Sequence, residues 1–476
     1  MKIILINPPE ECTFNTFPGA VEKSLGVFPP LGLLYVAASI KQYTDWKVEV
    51  IDAVAEKLSF SQIKERIKES APDAAGITVM THSLISSLKV AETAKESFPG
   101  IKVIFGGPHA HLYPENSIFF NCVDYVSTGE GEEAIVSLLR SWGDPDKIKA
   151  VPGLFFKTES GQIKHAGPCG YIKDLDKIMH PAIELVDYKK YYSSMLNGTG
   201  AASMITSRGC PYNCGFCARP NLGKKFRARS PEDISDEVEK YINLGIRAIV
   251  FFDDTFTIDK ERVLAICREF GRRDFDISWS VRAHINDITI PMLSAMKKAG
   301  CEQINYGVES GNNSVLERIN KGITTEKAIE TFKLTKQAGL KTGAYFMIGC
   351  PGETKEEMRQ TIAFSIKLNP DYCYFTALVP FPFTQIYSDG LANGRFGNDY
   401  WSEFSRNPQV DFRPRLWIEN VPEEEILKLL KSAYKKFYLR PSYIIKRLLE
   451  VRSVPELKKK ITAGLDICAL GKPLDL

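Results

Sequence analysis

Three cysteines lie within eight residues of one another in the segment Cys210-Pro-Tyr-Asn-Cys214-Gly-Phe-Cys217. Thiolates in one short loop can bind a single soft metal centre, either an iron–sulfur cluster or zinc. A ferredoxin motif supplies a fourth cysteine, and none follows nearby here, which predicts a cluster with one open iron, as a catalyst needs. The alternative is a zinc site with a distant fourth ligand such as Cys169 or His180. We disfavour it because structural zinc usually pairs short Cys/His couples.

The elements that position this loop form an alternating strand–helix pattern. Strands are predicted at 202–208, 247–253, 277–283, 302–309, 341–348 and 373–379, and helices near 231–244, 259–272, 291–299, 324–338 and 354–367. Six such units predict a barrel or partial barrel, whose functional groups collect at the carboxyl ends of the strands. The cysteine loop directly follows the first of these strands.

The first 145 residues show the same alternation with continuously apolar strands, as expected for strands that are covered on both faces. Strands are predicted at Lys2–Asn7, Val48–Ala53, Ala74–Met80, Lys102–Pro108 and Tyr125–Gly131, with helices near 31–42, 59–70, 84–97 and 132–142. This order predicts a doubly wound parallel sheet of Rossmann-like type, with ligands at the carboxyl ends of the strands.

The chain therefore divides into four predicted regions. Residues 1–145 form the sheet domain, and 146–200 form a linker that contains a hairpin at 154–164. Residues 201–384 form the partial barrel. Residues 385–476 form a mostly helical C-terminal region, irregular at 385–420 and helical at 422–450.

Composition limits the class of protein. The chain has 476 residues, with 61 Lys and Arg against 58 Asp and Glu and a net charge of +3, which argues against a dedicated nucleic-acid binder. A hydrophobic content of 44% excludes wholesale disorder. No apolar run approaches the roughly 18 residues of a membrane helix, and the apolar N-terminus is too short for a signal peptide. We expect a cytoplasmic protein.

The cysteine motif at the end of a first barrel strand resembles the signature of radical S-adenosylmethionine (radical SAM) enzymes. The resemblance implies a [4Fe-4S] cluster on Cys210, Cys214 and Cys217. The amino and carboxylate groups of SAM would chelate the open iron, with Phe216 near the adenine. Reduction of the cluster would cleave SAM to a 5′-deoxyadenosyl radical that abstracts hydrogen from a substrate. An external electron donor of flavodoxin or ferredoxin type is implied.

The ends of the later strands are similar to the SAM-binding segments of that family. Phe252-Asp253-Asp254 ends the second strand and Trp279-Ser-Val-Arg282 the third, where Arg282 could pair with the carboxylate of SAM. Gly307-Val-Glu309-Ser310-Gly311 ends the fourth. The resemblance implies SAM contacts from the following residues: Phe216, Asp253, Asp254, Arg282, Glu309, Ser310, Ile348 and Gly349.

The N-terminal sheet resembles the cobalamin-binding domain that precedes the barrel in one radical SAM subclass, and the likeness covers most of the chain. Glycine turns let the backbone approach a large flat macrocycle, and hydroxyl groups can hydrogen-bond its amide arms. The residues implied are Gly32, Thr78, Thr81, Ser83, Gly106, Gly107, His109, Thr128, Gly129, Glu130 and Gly131. The alternative is a sheet domain with glycine turns and no ligand.

The resemblance predicts a cobalamin-dependent radical SAM enzyme that methylates an unactivated carbon of a small molecule. The runner-up is an oxidative cyclase or ring-remodelling enzyme of the same scaffold. A methylthiotransferase is disfavoured, because its N-terminal domain carries a second cluster on three cysteines. Here only Cys12, Cys122 and Cys169 precede residue 200, and they are far apart. A cobalamin-binding sensor without catalysis is opposed by the cysteine loop.

Two further expectations concern the cobalt and the substrate. Cobalamin domains of the methionine-synthase kind supply a histidine to cobalt through an Asp-x-His-x-x-Gly motif. The first 145 residues contain His82, His109 and His111 but lack this motif. We therefore predict cobalamin with its tail displaced and no histidine on cobalt, with His82 as the residue most able to contradict this. Tyr372–Phe383 could line a pocket for a bulky apolar substrate, or could simply pack as a last strand. The basic amphipathic stretch 435–449 could make a weak contact with a membrane surface. The alternative, which is the more frequent for such stretches, is that its apolar face packs on the enzyme body and its lysines are solvated.

Overall fold

The computed structural model describes residues 1–13, 26–193, 196, 200–218, 223–451 and 454–469. In the first 165 residues the described strands are β1 (Lys2–Asn7), β2 (Gly26–Val27), β3 (Lys47–Asp52), β4 (Ala74–Thr78), β5 (Lys102–Gly106), β6 (Tyr125–Ser127), β7 (Leu154–Lys157) and β8 (Ile163–His165). Seven of them form one sheet in the order β3-β1-β4-β5-β6-β7-β8. The pairs from β3 to β6 are parallel and the last two are antiparallel. The predicted doubly wound sheet is confirmed, and the predicted hairpin extends it.

The strand order reverses between β1 and β4, and a doubly wound sheet binds ligands at the carboxyl ends of strands beside such a reversal. Ile3, Ile4, Leu5 and Ile6 of β1 are fully buried because helices cover the sheet. The helices of this region are Leu31–Tyr43, Ala53–Glu56, Phe60–Ser70, Leu84–Ser97, Pro108–Leu112, Pro114–Phe119, Gly131–Arg140 and Pro145–Ile148.

The second half of the chain contains β9 (Tyr192–Ser193), β10 (Ala201–Met204), β11 (Ser207–Arg208), β12 (Arg227–Ala228), β13 (Ala248–Phe251), β14 (Ser278–Ala283), β15 (Cys301–Glu309), β16 (Lys341–Ile348) and β17 (Tyr372–Ala377). A six-stranded sheet runs in chain order, β10-β13-β14-β15-β16-β17, with every pair parallel. The predicted partial barrel is therefore confirmed. Its carboxyl ends face the cysteine loop, which follows β10.

Helices alternate with the barrel strands, and further helices follow the last strand as far as Ala469. They are Pro231–Asn243, Lys260–Arg272, Ile290–Lys298, Asn313–Arg318, Thr325–Gln337, Lys355–Leu368, Gln385–Ala392, Tyr400–Arg406, Glu423–Tyr438, Pro441–Leu449 and Val454–Ala469. The segment 385–420 was expected to be irregular, and it contains two of these helices. Asp399 caps the second by accepting a hydrogen bond from the amide of Ser402.

The outer edge of β17 is covered by side chains. The Tyr438 hydroxyl accepts from the Cys373 amide at 2.9 Å and donates to the Cys373 carbonyl at 2.7 Å. Tyr434 makes the same pair of bonds with Phe375, at 3.0 and 2.7 Å. Each hydroxyl therefore takes the place of one residue of a neighbouring strand, and both come from the helix Glu423–Tyr438. The exposed edge of the partial barrel is thereby satisfied.

Candidate functional site

The cysteine loop is held in place by two later segments of the barrel. The amide of Gly215 donates to the carbonyl of Ile319 at 2.9 Å, and the side-chain amide of Asn320 donates to the carbonyl of Asn213 at 2.7 Å. On the other side, the amide of Ile386 donates to the carbonyl of Gly215 at 3.0 Å. The loop that carries the three cysteines is therefore fixed by backbone contacts that do not depend on the thiols.

A buried cation lies beside this loop. Lys321 follows Asn320 directly, and its ammonium donates to the Glu309 carboxylate at 2.9 Å. The same ammonium lies 5.7 Å from the centre of the Phe216 ring, between Cys214 and Cys217 in sequence. Lys321 is only 7% exposed and Glu309 only 9% exposed. The pair brings a predicted SAM residue, Glu309, into contact with the environment of the cluster.

The charge of Lys321 is maintained by its neighbours. Burial alone would lower the pKa of this ammonium, but Glu309 and the thiols of Cys214 and Cys217 outweigh burial and raise it. No sequence pattern singles out Lys321, because a lone lysine in a turn between two helices is usually solvated. Its role is visible only from the contact between the turn and the cysteine loop.

Glu309 has an unusual backbone. It is a non-glycine residue with a φ of 68°, at a register shift where β15 pairs with β16. A left-handed φ is costly for a residue with a Cβ, and such positions cluster at functional sites. The conformation turns the Glu309 carboxylate toward Lys321 at the carboxyl end of the strand.

Asp253 binds the residues that lead into the cysteine loop. Its carboxylate accepts from the amide and hydroxyl of Thr206, at 2.7 and 2.6 Å, and from the hydroxyl of Ser207 at 2.5 Å. It is fully buried. The structure thus makes Asp253 a residue that positions the start of the loop, and its direct contact with SAM stays a prediction. Its neighbour Asp254 is exposed at the same end of the barrel.

The remaining predicted SAM residues divide in the same way. Arg282 is exposed, and its guanidinium lies 4.9 Å from the centre of the Phe252 ring, where it is available to an anionic group. Ser310 is fully buried, and its hydroxyl is 3.0 Å from that of Thr361. Ile348 belongs to the core. Gly349 has a φ of +78°, which a residue with a side chain rarely adopts.

A histidine that the sequence reasoning missed also faces this region. His284 follows β14 and stacks on Tyr212 of the cysteine loop, with ring centres 3.7 Å apart. Its Nε2 is buried with no hydrogen-bond partner. Burial and the nearby Lys321 lower its pKa to about 4, so the ring is neutral at neutral pH. The hydroxyl of Tyr212 is held by Asp287.

At the first sheet, His109 is the central polar residue. It is fully buried, its Nδ1 lies 3.2 Å from the Thr81 hydroxyl, and its Nε2 has no hydrogen-bond partner. Burial lowers its pKa to about 3. Gly107 has a φ of +98°, and a Cβ there would come within 3.0 Å of the Thr78 hydroxyl. Four predicted cobalamin residues, Thr78, Thr81, Gly107 and His109, therefore meet around one turn.

The other predicted cobalamin residues have mixed surroundings. Gly32 and Gly106 have open space where a Cβ would lie, whereas Gly131 packs against Val36 and Gly129 against Cys169. The hydroxyl of Ser83 bonds to Met80, and that of Thr128 donates to the Gly153 carbonyl at 2.8 Å. Ser83 therefore closes a local turn and Thr128 ties the end of β6 to the residue before β7, and their predicted bonds to cobalamin amides stay predictions.

Glu130 is engaged by other residues of the protein, and its predicted contact with cobalamin stays a prediction. It is buried, and its carboxylate receives Arg208 at 2.8 Å, Arg227 at 2.8 Å and the amide of Ile172 at 2.6 Å. The second guanidinium nitrogen of Arg208 binds Glu132 at 2.5 Å. Burial opposes ionisation, yet the two arginines outweigh it and lower the pKa of Glu130. This interdomain ion cluster (Glu130, Glu132, Arg208 and Arg227) joins the glycine turn of the first sheet to the strand that precedes Cys210.

The two residues named as examples of a distant fourth zinc ligand, His180 and Cys169, have other partners in the structure. Both ring nitrogens of His180 have partners, Asp233 at 2.9 Å and Lys240 at 2.8 Å. Cys169 packs against Gly129 and Gly153.

The residues present fit the two cofactors that the resemblance implies. Three thiols lie in one anchored loop with a buried cation beside them, which suits a cluster of net negative charge. The first sheet offers the unpartnered Nε2 of His109 and open space beside Gly32 and Gly106. A cluster would be held by Cys210, Cys214 and Cys217, and a cobalamin by the turn around His109.

Comparison with known proteins agrees with these features. The model of the radical SAM superfamily matches residues 204–365, and that of the B12 binding domain matches residues 19–139. A protein of Pyrococcus horikoshii named uncharacterized methyltransferase PH0819 is 36% identical over 453 residues, which cover 94% of this chain and 95% of that protein. The anaerobic magnesium-protoporphyrin IX monomethyl ester cyclase of Rubrivivax gelatinosus is 26% identical, covering 93% of this chain and 78% of its own.

Solved structures show the same fold. The cobalamin-dependent radical enzyme OxsB, with aqua-cobalamin and SAM bound, has a TM-score of 0.75 at 17% identity, covering 97% of this chain and 70% of its own. The methyltransferase TsrM of Kitasatospora setae, with cobalamin and a [4Fe-4S] cluster bound, has a TM-score of 0.66 at 19% identity, covering 81% and 76%. With both domain models matched and a relative similar over nearly its whole length, the chain belongs to the cobalamin-dependent radical SAM enzymes.

Proposed function

We propose that this enzyme is a C-methyltransferase that acts at an unactivated carbon of a small molecule. The observation that carries the proposal is the interdomain ion cluster, because it fixes the glycine turn of the cobalamin domain to the strand that leads into the cysteine loop. When bound, the cluster with SAM supplies hydrogen abstraction and cobalamin supplies a methyl group. A chain that holds both binding loops at one interface suits a reaction that uses both.

The side chains of the barrel would bind and orient SAM. Glu309 and Lys321 offer one carboxylate and one ammonium beside the cysteine loop, and Arg282 offers an exposed guanidinium at the next strand end. We propose that Arg282 or Lys321 pairs with the carboxylate of SAM and that Glu309 hydrogen-bonds its polar groups. The electron donor would be a flavodoxin- or ferredoxin-type protein, and the protein is proposed to be cytoplasmic.

The reaction class is tested by comparing metabolites in cells that express the wild-type chain with those in cells that express Cys214→Ala. We expect a metabolite heavier by one methyl group only with the wild type. In anaerobic assays of the reconstituted enzyme, 5′-deoxyadenosine and S-adenosylhomocysteine should appear together. Methylation of a substrate without formation of S-adenosylhomocysteine would contradict the proposal.

A second candidate, an oxidative cyclase or ring-remodelling enzyme, is favoured by the similarity to the magnesium-protoporphyrin cyclase over most of both chains. The higher identity to a protein named as a methyltransferase makes methyl transfer the first choice. Formation of 5′-deoxyadenosine with no S-adenosylhomocysteine would select the cyclase.

We also propose that cobalamin binds with its tail displaced and without a histidine on cobalt. His82 is exposed, whereas His109 has the buried, unpartnered Nε2 and is therefore the stronger challenge to this proposal. The electron paramagnetic resonance spectrum of the Co(II) form should lack nitrogen triplet splitting. Triplets that disappear in either His109→Ala or His82→Ala would show that the histidine coordinates the cobalt.

A further inference from the structure

The helix Pro441–Leu449 is attached to the barrel through its polar side chains. Lys446 binds the Asp371 carboxylate at 2.8 Å, the Tyr443 hydroxyl donates to the Asp371 carbonyl at 3.0 Å, and Arg447 donates to the same carbonyl. The Arg447 guanidinium also lies 4.8 Å from the centre of the Tyr372 ring. The face that would be solvated on an ordinary surface helix is therefore the face that holds this helix to the enzyme.

The apolar side chains of the same helix point away from the body. Four of them are between 41 and 82% exposed: Ile444, Ile445, Leu448 and Leu449. Ile444 and Leu448 are four residues apart, as are Ile445 and Leu449, so each pair lies on one side of the helix. The next helix, Val454–Ala469, continues this surface with Ile461 and Leu465, which are 51 and 63% exposed. The two helices are joined by Lys460, whose ammonium donates to the Arg447 carbonyl at 3.0 Å. These six side chains form the C-terminal apolar face.

Positive charge surrounds this face. Residues 435–460 contain nine Lys and Arg against two Glu, although the whole chain carries a net charge of only +3. Lys436 and Lys458 are exposed. An apolar face with a basic border is typical of helices that lie in the interface of an anionic lipid surface. A second copy of this chain fits less well, because two such faces would bring like charges together.

We propose that the C-terminal apolar face docks the enzyme on the surface of an anionic membrane. None of the described helices is long and apolar enough to cross a bilayer, so the contact is peripheral. The face lies at the amino end of β17, whereas the cysteine loop follows the carboxyl end of β10 in the same parallel sheet. Docking would therefore hold the enzyme at the membrane while the cofactor end of the barrel faces away from it.

The experiment is flotation of the full-length protein with vesicles. One vesicle preparation contains phosphatidylglycerol and phosphatidylcholine, and the other contains phosphatidylcholine alone. Leu449→Glu is compared with Ile290→Glu, which adds the same charge at a residue that is 60% exposed on another helix. We expect flotation with the anionic vesicles, a decrease of about fivefold or more for Leu449→Glu, and wild-type behaviour for Ile290→Glu.

Three results would overturn the proposal. They are failure of the wild type to float, equal flotation with both kinds of vesicle, and equal losses in the two variants. A wild-type dimer that Leu449→Glu converts to a monomer, detected by light scattering, would instead assign the face to a second copy. Flotation requires no turnover, so failure of the methyl-transfer proposal would leave this result unaffected.

Discussion

The ammonium of Lys321 places one unit of positive charge beside the thiols of Cys214 and Cys217. We expect Lys321→Gln to make reduction of the cluster harder, with a midpoint potential lower by tens of millivolts, on the order of one screened charge at this range. The measurement is a redox titration of the reconstituted cluster followed by electron paramagnetic resonance. Lys321→Arg keeps the charge and should stay close to the wild-type potential. Identical potentials in wild type and Lys321→Gln would show that the ammonium does not act on the cluster.

Glu309 provides a second test at the same position. Glu309→Gln removes the negative charge but keeps the size of the side chain, so we expect SAM affinity to fall about tenfold while the iron content stays unchanged. Affinity is measured by anaerobic equilibrium dialysis. Glu302→Gln, on the same strand but at its amino end, serves as the control. Unchanged SAM affinity would remove Glu309 from the site, and loss of iron would assign it to the cluster instead.

At the scale of residues, the sequence indicated which side chains bind the cluster, but it did not indicate which side chains contact one another across the fold. The cysteine spacing indicated the cluster, because three thiols in a short loop have few other uses. The family resemblance implied a cobalamin contact for Glu130, but it did not reveal the ion pairs of Glu130 with Arg208 and Arg227. Those arginines lie about 80 to 100 residues further along the chain, and no local pattern reports a contact at that separation. Lys321 and His284 were missed for the same reason.

At the scale of elements, the edge of β17 depends on two hydroxyl groups. The double variant Tyr434→Phe, Tyr438→Phe leaves buried amides and carbonyls of Cys373 and Phe375 without partners. Each unsatisfied group costs about 1–3 kcal/mol, so we expect a decrease of several kcal/mol in the free energy of unfolding, measured by chemical denaturation. Tyr43→Phe, at an exposed tyrosine, should have no effect. Wild-type stability of the double variant would show that water replaces the hydroxyls.

Element types were largely predictable, because apolar strands and amphipathic helices alternate with a clear period in both halves of the chain. The helices Gln385–Ala392 and Tyr400–Arg406 were not predicted. Both are short and are stabilised by packing. Tyr387 of the first stacks on Phe396 at 5.4 Å, and Trp401 of the second stacks on Phe381 at 5.7 Å. Tertiary contacts of this kind do not appear in local sequence periodicity.

At the scale of the whole molecule, the interdomain ion cluster joins the two domains through buried charges. Arg208→Met leaves Glu132 without its guanidinium and removes one of the two that Glu130 binds. Breaking a buried ion pair costs about 3–5 kcal/mol. We therefore expect faster proteolysis between β8 and β10, measured by limited trypsin digestion. Glu96→Gln, which breaks the exposed pair with Lys64, should digest like the wild type. Equal digestion of all three proteins would show that other contacts hold the domains together.

The same ion cluster limits how the two domains can be exchanged between enzymes. A cobalamin domain of this type carries two buried carboxylates whose neutralising arginines are encoded in the barrel. On a foreign barrel without those arginines, both carboxylates at the junction would have no counter-charge, whether they stayed buried or became exposed. A chimera made from this chain must therefore carry Arg208 and Arg227 together with Glu130 and Glu132. The two domains can be exchanged only as a pair at this junction.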